Sequence, residues 1–183
     1  MARLIDDLLS LSRVELSAHV RPEKLVDVVP LIRQVVDGLE PLASERQVTI
    51  ELGLPPSPVM IAGDTEELLR VFENLIENGL KYGASGGRVV VSLTEPGPDD
   101  VSGEMRVAVR DFGPGIPPEH LPRLTERFYR VDVGDSRAQG GTGLGLSIAR
   151  WAAQLHGGTV KVVDDTRGAD FEIILPKYHI AER

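Results

Sequence analysis

Apolar residues recur at helical spacing in the first sixteen positions. Leu4, Ile5, Leu8, Leu9 and Leu11 form one stripe, with Asp6, Asp7, Ser10 and Arg13 between them. The stripe is short for a helix that stands alone in water, so it is expected to pack on a partner chain or on a further upstream segment. A second helix is predicted from Asp27 to Arg46, with Asp27 as its N-cap and Pro30 in the first turn. Pro41 falls inside it and predicts an irregularity there. Gln47–Leu52 and Val59–Ala62 read as strands around a proline-rich turn at Leu54–Pro58. Asp64 and Glu67 have capping-box spacing and start a third helix. Its stripe is Leu68, Val71, Phe72, Leu75, Ile76 and Leu80. Strands follow at Arg88–Thr94 and Met105–Arg110, joined through the polar turn Glu95–Gly103. Residues 111–143 are rich in glycine, proline and charge, a length of connection that is usually functional. Leu144–Leu155 reads as a helix, His156–Gly158 as its exit, and Thr159–Val163 and Phe171–Leu175 as strands.

Composition narrows the class. With 183 residues the chain can bury a core without staples, and its 42% hydrophobic and 26% charged content rules out wholesale disorder. There is no cysteine, hence no disulfide, thiolate metal site or cysteine nucleophile. The 28 acidic residues outnumber the 20 basic ones, which disfavours nucleic acid as a partner while leaving room for a local phosphate site. No apolar run approaches the roughly 20 residues of a membrane span. Asp6 and Asp7 break what would otherwise resemble a signal peptide, so a soluble, cytoplasmic chain is expected.

Three short segments carry candidate chemistry. On the third helix, Asn74, Asn78 and Lys81 are spaced by four and three and share a face. Two amides and an ammonium suit a hydrated divalent cation and a phosphate chain; read alone, they also suit a solvated face. Asp111-Phe112-Gly113-Pro114-Gly115-Ile116 directly follows a strand, where an acid can accept from an exocyclic amine and glycines let a flat ligand approach. Gly140-Gly141-Thr142-Gly143-Leu144-Gly145-Leu146 runs into a helix, whose N-terminal N–H groups form an anion site. It lacks the Gly-Lys-Ser/Thr of a Walker A loop, and it follows an irregular loop rather than the strand of a Rossmann unit.

Asn74–Tyr82 (NLIENGLKY), DFGPGI, Glu126-Arg127-Phe128-Tyr129-Arg130 and GGTGLGLSIA together resemble the N, G1, F and G2 boxes of sensor histidine kinases, in that family's order. HGGTV and FEIILP resemble the end of the same ATP-binding domain, so the likeness runs from about residue 25 to 177. MARLIDDLLSLSR resembles the end of the second helix of the dimerisation and phosphoacceptor domain. The resemblance implies a Bergerat-fold two-layer α/β sandwich. Its mixed, mainly antiparallel sheet would carry about three helices on one face, with an N-terminal helical extension. Residues 1–22 would be the dimerisation remnant and 23–183 the catalytic domain.

The resemblance also implies the ligands ATP and Mg²⁺ and a role for each residue. Asn78, assisted by Asn74, would hold the metal, and Lys81 would face the phosphates. Tyr82 would lie near adenine and ribose. Asp111 would accept from the adenine amine, in a pocket shaped by Gly113, Gly115 and Ile116. Arg130 and Arg127 would neutralise the γ-phosphate. Gly141, Thr142, Gly143, Leu144 and Gly145 would receive the phosphates, and the stretch from Val131 to Thr142 would be the ATP lid. The implied partners are a histidine-bearing dimerisation helix of the same full-length protein and a downstream response regulator. A homodimer through the N-terminal helix is also implied, and full-length relatives are often anchored in the inner membrane.

The departures are specific. His19, His120, His156 and His179 do not reproduce the histidine–acid phosphoacceptor box, so this chain is not expected to phosphorylate itself. Gly79 stands where the family often has alanine, at a helix cost of roughly 1 kcal/mol. Ala169 and Asp170 stand where a hydroxyl residue often aids the adenine end, in a segment that reads slightly short. The hydrolytic relatives (gyrase, Hsp90 and MutL) carry a glutamate four residues before the metal-binding asparagine. Here that position is Asn74, and Glu73 and Glu77 each lie about 100° around the helix from the asparagine that follows them, so neither replaces the missing glutamate simply. Histidine kinase is therefore the leading reading. A GHKL-type ATPase, an anti-sigma-type serine kinase and a non-catalytic nucleotide-binding module are the alternatives.

Overall fold

The computed structural model describes residues 2–17, 21–97, 99–131, 141–165 and 168–178. Most of the proposed lid, as well as His19 and His179, lies outside the described residues. In chain order the elements are α1 (Ala2–Ser17), β1 (Leu25–Asp27), α2 (Val28–Glu45), β2 (Thr49–Gly53), β3 (Met60–Ala62), α3 (Thr65–Tyr82), β4 (Arg88–Thr94), β5 (Glu104–Asp111), α4 (Gly145–Leu155), β6 (Thr159–Asp165) and β7 (Gly168–Pro176). Short 3-10 turns lie at Ala84–Gly86 and Pro118–Arg123.

The main sheet has the order β2-β4-β5-β7-β6. The β2–β4 pair is parallel, and every other neighbouring pair is antiparallel. Alternation decides which face each strand buries. Val89, Val91 and Leu93 of β4 point inward with Met105, Val107 and Val109 of β5 and Phe171, Ile173 and Leu175 of β7. They meet the apolar stripes of α2, α3 and α4 in one core. The other sheet face carries charge, with Arg88 paired to Glu51 and Arg106 to Glu172. This is the two-layer sandwich that the resemblance implies.

Two local expectations need correction. The α2 helix runs through Pro41 without a break. Pro41 and Asp37 both face solvent, so water can take the Asp37 carbonyl that the missing N–H leaves unpaired. The capping box of α3 is only half formed. The Asp64 carboxylate accepts from the Glu67 N–H at 3.0 Å, whereas the Asp64 N–H donates to Nε2 of His156, not to Glu67.

Sequence patterning did not foresee an intrachain contact of α1. It lies on α4 of the same chain, where Leu11 is buried with Leu144 and Ile148 against Trp151. Ile5, Leu8 and Leu9 remain exposed. Strand β3 falls within the predicted strand Val59–Ala62, whereas its antiparallel partner β1 was not predicted, because its three residues are too few to show alternation. The pair is held by Asp27, whose Oδ1 caps α2 at Val29 and accepts a second bond from the Val59 N–H.

Candidate functional site

Helix α3 places Asn74, Glu77, Asn78, Lys81 and Tyr82 along one wall of a cavity of about 330 Å³. Helical spacing alone brings them into line. The ion pair between Glu77 and Lys81, 3.0 Å long, is almost wholly buried. Glu77 was not predicted as a site residue, although its i,i+4 spacing to Lys81 signals the pairing.

The floor is Asp111. It shares strand parity with Met105, Val107 and Val109, so alternation turns a carboxylate into the buried face at the strand's end. It is 3% exposed. Its Oδ1 accepts from the N–H groups of Gly113 at 3.0 Å and Ala169 at 3.3 Å. Burial pushes its pKa up from the ordinary 3.8, and the two N–H bonds oppose that shift. Ala169 thus supports Asp111 through its backbone N–H, a contact that needs no side-chain hydroxyl. Gly168 makes this approach possible. At φ 122 it occupies a region that side chains avoid, and a Cβ there would lie 2.0 Å from the Asp111 carbonyl oxygen.

The opposite rim comes from the glycine-rich turn and the segment before it. Gly143 has φ 75, and its carbonyl accepts from the Phe128 N–H at 2.9 Å. Phe128 is itself a non-glycine residue at φ 62, so the chain reverses sharply there. Tyr129, Arg130 and Val131 then enter the cavity. Two nitrogens of Arg130, Nε and Nη2, are shielded from solvent and have no hydrogen-bond partner among the described residues. Tyr129 is held by His120, whose Nδ1 lies 2.6 Å from the phenol oxygen. Gly145 packs against Asn74, whose Oδ1 would be 3.0 Å from a Cβ at that position.

Most of the residues singled out from the sequence converge here. Asn74, Asn78, Lys81, Tyr82, Asp111, Gly115, Ile116, Arg130, Gly141, Thr142, Gly143 and Gly145 all line the cavity. Three do not. Arg127 lies on the other side of the Phe128 reversal, with its guanidinium 6.0 Å from the centre of the Trp151 ring. Leu144 is fully buried in the contact with α1. Gly113 is packed behind the cavity, where a Cβ would sit 2.6 Å from the Tyr82 carbonyl oxygen. Missed by sequence reasoning were Asp7 of α1, Pro114, Leu124, Tyr129, Leu146, Ala169 and Phe171. Asp7 and Phe171 reach the cavity only through tertiary packing, which no local spacing encodes.

Among the described residues no three of His, Cys, Asp or Glu cluster as a metal cage. Amide oxygens beside an anion site fit a cation that takes its remaining ligands from phosphate and water.

Residues 63–179 match the histidine kinase-, DNA gyrase B- and HSP90-like ATPase family. Sensor histidine kinase CusS of Escherichia coli O6:H1 is 37% identical over 176 residues, which cover 96% of this chain and 35% of CusS. The chain therefore spans about a third of that relative's length. The mycobacterial sensor histidine kinase MprB superposes with a TM-score of 0.71 at 28% identity, over 86% of this chain and 99% of that one. Full-length ShkA, solved in complex with AMPPNP, superposes with a TM-score of 0.79 at 27% identity, over 98% of this chain and 36% of ShkA. On these matches the chain belongs to the histidine kinase-, DNA gyrase B- and HSP90-like ATPase family, as an ATP-binding catalytic domain of the sensor histidine kinase kind.

Proposed function

We propose that this domain holds Mg-ATP and presents its γ-phosphoryl group to a histidine on a separate dimerisation helix. One observation carries the reading. Arg130 brings two guanidinium nitrogens that lack partners among the described residues into the same cavity as Asn74, Asn78 and Lys81. Shielded N–H groups of a cation are costly to leave without an acceptor, and an anion in the cavity would supply one.

Asp111 would accept the adenine amine at Oδ2, since both backbone donors use Oδ1. Tyr82, half exposed at the rim, would cover the adenine and ribose edge. Lys81 would turn part of its charge from Glu77 to the phosphates. Gly141, Thr142, Gly143 and Gly145 would bring backbone N–H groups to the chain of phosphates. Asn78 and Asn74 would hold Mg²⁺, which when bound offsets phosphate charge. Arg130 would neutralise charge on the γ-phosphoryl group as its bond to ADP breaks and a bond to the imidazole nitrogen forms. The domain's work is positioning and charge neutralisation.

The acceptor lies outside this chain's described histidines. His156 is buried with both ring nitrogens engaged, and His120 is engaged by Tyr129. Residues 1–22 would belong to the dimerisation element and 23–183 to the catalytic domain. The whole protein would dimerise through the former and pass the phosphoryl group to a response regulator.

The test is a calorimetric titration with a non-hydrolysable ATP analogue, with and without Mg²⁺. Saturable binding near one per chain that responds to Mg²⁺ is expected. Asn78→Ala should lose about tenfold in the Mg²⁺-dependent affinity, the scale of one charge-assisted contact, with little change in Tm. Equal Mg²⁺-dependent binding by parent and variant would remove Asn78 from the metal site.

A further inference from the structure

Asp7 lies on α1, outside the residues that match the family, yet it lines the nucleotide cavity. Its Oδ2 accepts a 2.6 Å hydrogen bond from Oγ1 of Thr142. The same hydroxyl accepts from the Leu144 N–H at 3.4 Å, so it sits at the heart of the glycine-rich turn. Leu11 lies four residues after Asp7 and so shares its helix face. It is buried against Leu144 and Ile148 and anchors the carboxylate at the turn.

A hydroxyl has one proton to give. Thr142 cannot donate it to Asp7 and to a phosphate oxygen at once. A carboxylate at this position also repels a phosphate chain, and it does so more strongly in a cleft than in open water. Lys81 and Arg130 of the same cavity oppose that repulsion, but the adjoining groove does not. The groove between α1 and α3 that Asp7 also lines adds Asp6, Glu73 and Glu77 against Arg13 and Arg70.

We propose that Asp7 is a further determinant of nucleotide affinity, competing with the polyphosphate for the Thr142 hydroxyl. Nucleotide binding and the docking of α1 on the glycine-rich turn then oppose one another. The inference rests on the nucleotide reading above. Because linkage is reciprocal, nucleotide loosens α1 by the factor that docked α1 weakens nucleotide.

The test titrates the parent chain, Asp7→Ala and Asp7→Asn with a non-hydrolysable ATP analogue and separately with adenosine, which has no phosphate. Asp7→Ala is expected to bind the analogue roughly three- to tenfold more tightly, the scale of a hydrogen bond to a charged group. Adenosine affinity should stay unchanged. Asp7→Asn keeps an acceptor oxygen without the charge, so it should gain less than Asp7→Ala. In the parent chain, the analogue should speed amide exchange along α1. Equal or weaker analogue binding by Asp7→Ala overturns the competition, and so does a parallel gain for adenosine. If neither the parent nor the variants bind the analogue, the nucleotide reading fails, and this inference falls with it.

Discussion

At the scale of the residue, Asp111 shows how a recognition group is held against its own preference. Strand parity forces its carboxylate inward, and burial raises its pKa above 3.8. A carboxyl group whose folded pKa is raised stabilises the fold fully below its unfolded pKa. That stability is lost as pH rises through the folded pKa. At neutral pH the ionised Asp111 therefore costs stability. Asp111→Asn should raise Tm at pH 7, because Oδ1 keeps its two backbone donors and the charge is gone. The same change places an N–H₂ opposite the adenine amine, and ATP-analogue affinity should fall roughly tenfold. Selectivity for ATP over GTP should fall with it. Calorimetric melting and titration of one pair of proteins check both effects, and a lower Tm with unchanged selectivity would make Asp111 purely structural. Gly79 belongs at this scale too. It packs against Val89 and Val109, where a Cβ would lie 3.3 and 3.4 Å from their methyl carbons. Close helix-to-sheet approach accounts for glycine here despite its helical cost.

At the scale of the element, the ends of α3 and α4 are joined by one histidine. His156 caps α4, and its Nδ1 lies 2.6 Å from the Ala152 carbonyl oxygen, a distance that calls for the N–H on that nitrogen. Nε2 is then the acceptor for the Asp64 N–H, at 2.9 Å. Burial pushes the His156 pKa below 6.5. The unfolded chain binds the proton more readily, so stability is complete above pH 6.5 and is lost as pH falls below it. Tm should drop between pH 7.5 and 5.5, with a slope of up to about 1.4 kcal/mol per pH unit from this group. His156→Gln should flatten that slope relative to the parent, read from melting curves across the same range. A parallel pH profile in the variant would clear His156 of the effect. The spacing of Asp64 and Glu67 made the cap legible in the sequence. The partner of the cap's own N–H was not, because it lies in another helix far along the chain. Pro41 likewise reads as a break, and only its position on the solvent face makes it harmless.

At the scale of the whole molecule, α1 is attached to the sandwich through a small apolar cluster separate from the main core. A local attachment can open without global unfolding. Leu11→Asp should therefore free α1, with its amides losing exchange protection, while β5 and β7 stay protected. The main melting transition should shift by less than about 1 kcal/mol. Hydrogen exchange followed by mass spectrometry separates these regions, and lost protection across the sheet would show that α1 is integral to the core. Among the described residues no helix is long and apolar enough to cross a membrane.

The sequence by itself determined the helices with strong apolar stripes, the alternating strands and the identities of most cavity residues. The helices and strands depend on spacing within one element, where chain geometry alone decides which side chains share a face, whereas the cavity residues were named by the resemblance of four short motifs to one family. Tertiary structure decided the rest. It set the strand order, the backbone support of Asp111 by Ala169, the turning of Arg127 away from Arg130, and the arrival of Asp7 at Thr142. These are contacts between residues distant in the chain, and the free energy of packing the two layers selects them, not any local preference.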